Sequence, residues 1–319
     1  MGARMEPANS STTSGFILLG VSSRPERQGP LFALFLAMYL ASALGNATIL
    51  AAIHMNNHLL HAPMYFFLNH LSLVDLGLTS AVVPKLLAGT LTGDWGISYA
   101  GCLAQMYFFI AFGITDSFLL AAMALDRYMA VCHPLRYAII MSPRFCWALV
   151  TSSWLVAHLH SLLHTLLMSR LSFCATRHVA CFFCDVFPLL KLSCSNARLN
   201  VLVVHTEGAM VVNGALLFIL LSYTRIAAAV LKVPSAAGKR KAFSTCGAHL
   251  TVVGLFYGTI IWVYFQPSAS FSAEKDLLAA IMYTMVTPML NPFIYTLRND
   301  EMKGTLRRAL GQVRATHGA

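Results

Sequence analysis

Apolar positions gather into seven long runs, approximately 30–54, 63–87, 100–125, 146–168, 200–224, 243–266 and 277–297. A helix that rises about 1.5 Å per residue needs about 20 apolar residues to cross a hydrocarbon core of roughly 30 Å. Each run meets that length. The connections are short, apart from about 30 residues between Ser169 and Leu199. The pattern predicts an all-α membrane protein, a seven-transmembrane helix bundle over residues 30–297, with tails at 1–29 and 298–319. An odd number of crossings places the two ends on opposite sides of the membrane.

Composition removes the soluble alternative. The chain is 57% hydrophobic and 11% charged, whereas soluble domains carry about a quarter charged residues. The formal net charge of +10 does not point to nucleic acid, because the basic residues are shared out among the loops. They set orientation instead. With the N-terminus outside, the inner segments hold 13 basic residues against Asp126, Asp300 and Glu301; the outer segments hold 9 against 6 acids. The expected orientation is therefore N-terminus outside and C-terminus cytoplasmic. The sequon Asn9-Ser10-Ser11 suits a glycosylated outer tail, while Asn46-Ala47-Thr48 lies inside the first run. Residues 16–20, "FILLG", are too short for a signal-peptide core, so the first run is expected to target the chain. The start "MGARME" has Glu6 where a myristoylation site wants Ser or Thr.

Five cysteines fall on the outer face: Cys102 at the start of the third run, and Cys174, Cys181, Cys184 and Cys194 in the long loop. Outer cysteines oxidise, and a long loop gains from being pinned. The spacing suggests two bridges, Cys102–Cys184 and Cys174–Cys194, leaving Cys181 over. A zinc site on Cys181-x-x-Cys184 is the rival reading, but it lacks a second ligand pair at suitable spacing.

Ionisable groups inside spans are costly and so are candidates for function. Three acids qualify: Asp75, Asp116 and Glu207. Counted from the inner face, Asp75 and Asp116 lie at one depth, with Asn46 and Asn291 near them. Such a cluster could hold a sodium ion, an ordered water network, or only a hydrogen-bonded packing arrangement with one acid protonated. Glu207 lies nearer the outer face, level with Phe109 and Thr284. Phe109, Gly113 and Asp116 share one face of the third helix, and Ile260 and Tyr264 one face of the sixth. With Met106, Ile110 and Met285 they outline a mostly apolar small-molecule pocket; the alternative is a filled core in which Glu207 is paired. His54, His58 and His61 surround the first inner loop, but no second inner histidine cluster accompanies them, so a metal-dependent enzyme is not expected. No nucleophile–base signature appears either.

Several motifs together resemble the olfactory receptors, which are rhodopsin-like (class A) G-protein-coupled receptors. They are "GN" at 45–46, "PMYFFLNHLSLVDL" at 63–76, "MALDRYMAVCHPLRY" at 123–137, "SYTRI" at 222–226, "KAFSTCGAHLTVV" at 241–253 and "PMLNPFIYTLRN" at 288–299. The resemblance implies roles. Asp126, Arg127 and Tyr128 would restrain the inactive state and engage the G protein. Tyr223 and Tyr295 would rearrange around that arginine, Tyr257 would act as a toggle below the pocket, and Asn291-Pro292 would form the kink of the seventh helix. Asp75 and Asp116 resemble sodium-site acids; no other cofactor is implied. The implied ligand is a small, mostly apolar odorant, and the implied partner a heterotrimeric stimulatory G protein that raises cyclic AMP, in the lipid of the plasma membrane.

The chain departs from the family pattern at Leu125, Ala248 and Cys181, and the fifth run has no proline. A receptor for a non-odorant molecule shares every one of these features. A small transporter would show internal repeats and broken helices, which are not visible.

Overall fold

A computed structural model describes residues 15–22, 24–174, 177–264, 273–297 and 302–305. Among them the seven runs become seven long helices. They are α1 (Pro25–His54), α2 (Pro63–Thr92), α3 (Tyr99–Cys132), α4 (Pro143–Ser169), α5 (Arg198–Leu231), α6 (Ala236–Tyr264) and α7, built from Ala273–Ile281, Met282–Val286 and Thr287–Leu297. Six are long and apolar enough to cross a membrane, while the apolar part of α6, Cys246–Trp262, is shorter. The chain is a seven-helix membrane bundle. α3 is central, packing on α2, α4, α5 and α6, and α7 closes back onto α1.

Helix ends follow local chemistry. Proline opens α1, α2 and α4, where its missing N–H has no intrahelical partner to lose. Ser98 caps α3 by accepting from the Gly101 N–H at 3.1 Å. α2 stops at Gly93, whose φ of 74° suits a residue without Cβ.

The bundle inverts the soluble pattern, as a lipid solvent demands. Leu155, Leu159, Leu217 and Leu221 face outward, whereas Asn46, Asp75, Asp116 and Asn291 are buried. Pro292 cannot bond the Pro288 carbonyl one turn back. Asn46 Nδ2 donates to that carbonyl instead, at 3.2 Å. A Cβ on Gly45 would lie 3.0 Å from the Pro292 ring, so the Gly45-Asn46 pair both admits the kink and satisfies it.

Both expected bridges are present. Cys102–Cys184 ties the long loop to α3 with Cα atoms 5.4 Å apart, and Cys174–Cys194 closes the loop on itself at 5.9 Å. Cys184 is thereby spent and no zinc site forms on it; Cys181 stands outside both bridges. One feature was not expected of a bare N-terminal tail. Residues Phe16–Leu18 (β1) form the middle strand of a small sheet with Gly96–Ile97 (β2) and His178–Val179 (β3). β1 runs antiparallel to β2, with Phe16 opposite Ile97, and parallel to β3, with Ile17 opposite His178. Strands of two or three residues are too short to leave a period in the sequence. Asn9 lies outside the described residues.

Candidate functional site

A cavity of about 320 Å³ opens beneath the Cys102–Cys184 bridge, at the small end of the roughly 300–1,000 Å³ usual for ligand sites. α3 contributes Phe109, Ile110, Gly113, Ile114 and Ser117, and α6 contributes Phe256 and Ile260. The loop after Cys184 adds Asp185 and Val186. Asp185 is held as the cap of a short helix, its Oδ1 accepting from the Val186 N–H at 2.7 Å. Phe109 lies against Phe183 and Tyr283, with ring centres 4.9 and 5.5 Å away. The walls are chiefly apolar.

Of the expected lining residues, Phe109, Ile110, Gly113 and Ile260 border this space. Met106 does not: it is buried in the cluster around Cys102 and Cys184. Thr284 also turns away, its hydroxyl donating to the Ala280 carbonyl at 2.6 Å. The Tyr264 side chain lies outside the described residues. Glu207 is displaced as well. It belongs to a π turn, Val204–Gly208, of which Val204, His205 and Gly208 border the cavity in its place. Its carboxylate instead reaches two histidines of α4. His160 Nδ1 is 2.7 Å from Oε1 and His164 Nε2 is 3.3 Å from Oε2. Those histidines, not the acid, form the wall.

At the edge of the cavity, Ser117 shares a hydrogen bond of 2.6 Å with the Tyr257 hydroxyl, joining α3 to α6. Deeper lies the acid–amide cluster. Asn291 Nδ2 donates to Asp75 Oδ2 at 2.9 Å, and Asp116 is near enough to Asp75 to oppose its charge. Asp75 Oδ1, Asp116 Oδ1, Asn46 Oδ1, Asn291 Oδ1 and Ser72 Oγ are all buried with no hydrogen-bond partner among the described residues.

At the far end of α3, Arg127 is 3.2 Å from Asp126 Oδ2 and also donates to the Met64 sulfur. Asp126 is fully buried, and its Oδ1 accepts from the Tyr137 hydroxyl at 2.7 Å. Tyr137 lies on the short loop helix Pro134–Ile140. Burial pushes its phenol above the ordinary value, and the Asp126 carboxylate adds to that shift, so at neutral pH it stays a proton donor. Tyr128 turns aside to His133, 3.1 Å away. Tyr223 bonds His249 Nδ1 at 2.8 Å, and His249 Nε2 reaches the Leu120 carbonyl at 3.0 Å. One buried histidine thus fastens α3, α5 and α6. Tyr295 is buried, and its hydroxyl has no partner among the described residues.

No role for His160, His164, Ser117 or Asp185 was expected from the sequence. Tyr137 and His249 stood inside quoted motifs without one. The histidine pair did leave a signal: two imidazoles four residues apart in an apolar run share a helix face.

Comparison with known proteins bears on what this arrangement serves. The profile of the family described as olfactory receptor matches residues 35–313. The human protein named Olfactory receptor 1L6 is 56% identical over 299 residues, covering 94% of this chain and 86% of its own length. Human Olfactory receptor 1L4 is 55% identical over 95% of this chain and 98% of its own. The rat protein Olfactory receptor 1f45 is 54% identical, with 96% and 97% covered.

Proposed function

Because the chain belongs to the olfactory receptor family, we propose that it binds a small, mostly apolar odorant in the cavity bordered by α3 to α6 and activates a stimulatory G protein, raising cyclic AMP. The family is one of class A receptors rather than enzymes, and the chain is a multi-pass protein of the plasma membrane. The basic loops support an orientation with the Arg127 end in the cytoplasm and the bridged end outside.

The observation that carries the reading is an apolar cavity and a closed ion pair on one helix. Gly113 and Arg127 are 14 residues apart on α3, about 21 Å at the helical rise. The ligand's work is a population shift. Contacts on Phe256 and Ile260 bias α6, and Ser117–Tyr257 passes the bias to the next layer. The Tyr223–His249–Leu120 fastening then yields, α5 and α6 part from α3, and Arg127 leaves Asp126 for the G protein.

The buried oxygens suit a hard cation, which takes oxygen ligands. Asp75 and Asp116 would hold sodium, with Ser72 and the amide oxygens of Asn46 and Asn291 available to it. Bound there, sodium supplies positive charge that offsets the two carboxylates.

In cells displaying the receptor, an odorant panel raises cyclic AMP, and Arg127→Ala abolishes the rise while surface protein is retained. An undiminished response in that variant overturns the mechanism. Tyr137→Phe, which removes the donor holding Asp126, raises signalling without ligand; an unchanged baseline shows that this hydrogen bond restrains nothing.

A further inference from the structure

His160 and His164 stand one turn apart on α4, and Glu207 meets both from the π turn of α5. One ligand atom from each residue lies within 4.8 Å of the other two. The two imidazoles are 7% and 6% exposed, and their ring centres are 4.5 Å apart. We propose that these three side chains form a divalent transition-metal site of zinc type in the cavity wall.

Two imidazoles and one carboxylate make a three-ligand zinc set that leaves one position open. Magnesium and calcium prefer oxygen ligands alone, whereas imidazole suits zinc, copper and nickel. Tetrahedral coordination at about 2.0–2.1 Å separates ligand atoms by roughly 3.3 Å. Each histidine nitrogen lies near that spacing from a different Glu207 oxygen, His160 from Oε1 at 2.7 Å and His164 from Oε2 at 3.3 Å, and side-chain rotation brings the three ligand atoms, all within 4.8 Å of one another, to it. The histidines border the cavity and Glu207 does not. The open position therefore falls on the cavity side, where water or the donor atom of a small molecule completes the tetrahedron. The site depends on the helix packing, not on odorant signalling.

The test is metal uptake by the purified full-length receptor in lipid nanodiscs, so failure of the signalling proposal leaves it intact. Wild type takes up one Zn2+ per chain at this site, and Co2+ in its place gives the visible absorption of tetrahedral coordination. His164→Ala and Glu207→Gln each weaken Zn2+ binding by more than about 100-fold, since even a supporting residue behind a ligand is worth about 10–100-fold. His164→Cys, which exchanges one ligand for another, retains binding and so separates lost ligation from lost folding. Absence of Zn2+ binding in wild type, or equal affinity in wild type and the Ala and Gln variants, overturns the site and leaves the three residues as a hydrogen-bonded cluster only.

Discussion

Asp75 and Glu207 are both carboxylates on membrane-crossing helices, one set among an amide and a second acid, the other among two imidazoles. Asp75 is 1% exposed, and among the described residues its carboxylate receives one hydrogen bond, from Asn291. The Glu207 side chain is 35% exposed, and each of its oxygens meets a histidine nitrogen. The first carboxylate is short of donors in a place water barely reaches. The second has a partner on each oxygen. A lipid solvent makes any intramembrane acid costly, but the neighbours decide what the cost serves. Around Asp75 the unmet acceptors ask for a cation or ordered water. Around Glu207 nitrogen and oxygen donors stand ready-made for a metal.

That contrast is breakable. The largest effect is expected from Asn291→Ala, which leaves buried Asp75 without its donor. An unmet buried group costs about 1–3 kcal/mol, so thermal unfolding of the purified receptor shifts down and surface display falls. Next comes sodium. At ten times its dissociation constant it stabilises by about 1.4 kcal/mol relative to choline, and Asp116→Asn removes that gain. Equal stability in the two salts removes the ion from the account. The smallest effect on stability is expected from Glu207→Gln without added metal. The side chain is only partly buried and the amide keeps one acceptor oxygen for a histidine nitrogen, so the loss stays below that of Asn291→Ala. A loss matching Asn291→Ala would show that the two acids are equally structural.

What the sequence revealed follows from which forces act locally. Crossing a bilayer demands length and apolarity, so all seven helices were legible. Their ends were not: α1 starts at Pro25, α3 runs on to Cys132 and α6 starts at Ala236, because polar turns continue a helix beyond the lipid. Cysteine spacing carried both bridges. Depth counting brought Asp75 to Asn291, since helical rise is constant. It could not find that Asn46 serves the Pro288 carbonyl, a role created by the kink at Pro292. Facing was the weakest inference. Glu207 lies inside the π turn Val204–Gly208, where the α-helical spacing is interrupted, and depth alone did not tell that it stands off the cavity wall. His160 and His164 became wall residues through the packing of α4 on α3 and α5, which no single helix encodes.

If the space beside Gly113 takes the activating ligand, filling it at Gly113 blocks the response. A Cβ there meets nothing within 4 Å, and alanine is a better helix former than glycine by about 1 kcal/mol, so substitution fills the cavity without harming α3. Cyclic AMP dose–response curves are recorded for Gly113→Ala and Gly113→Phe at matched surface display. Ala is expected to weaken the bulkiest ligands first, and Phe to abolish the response. An unaltered response to every ligand in the Phe variant would contradict that placement of the ligand.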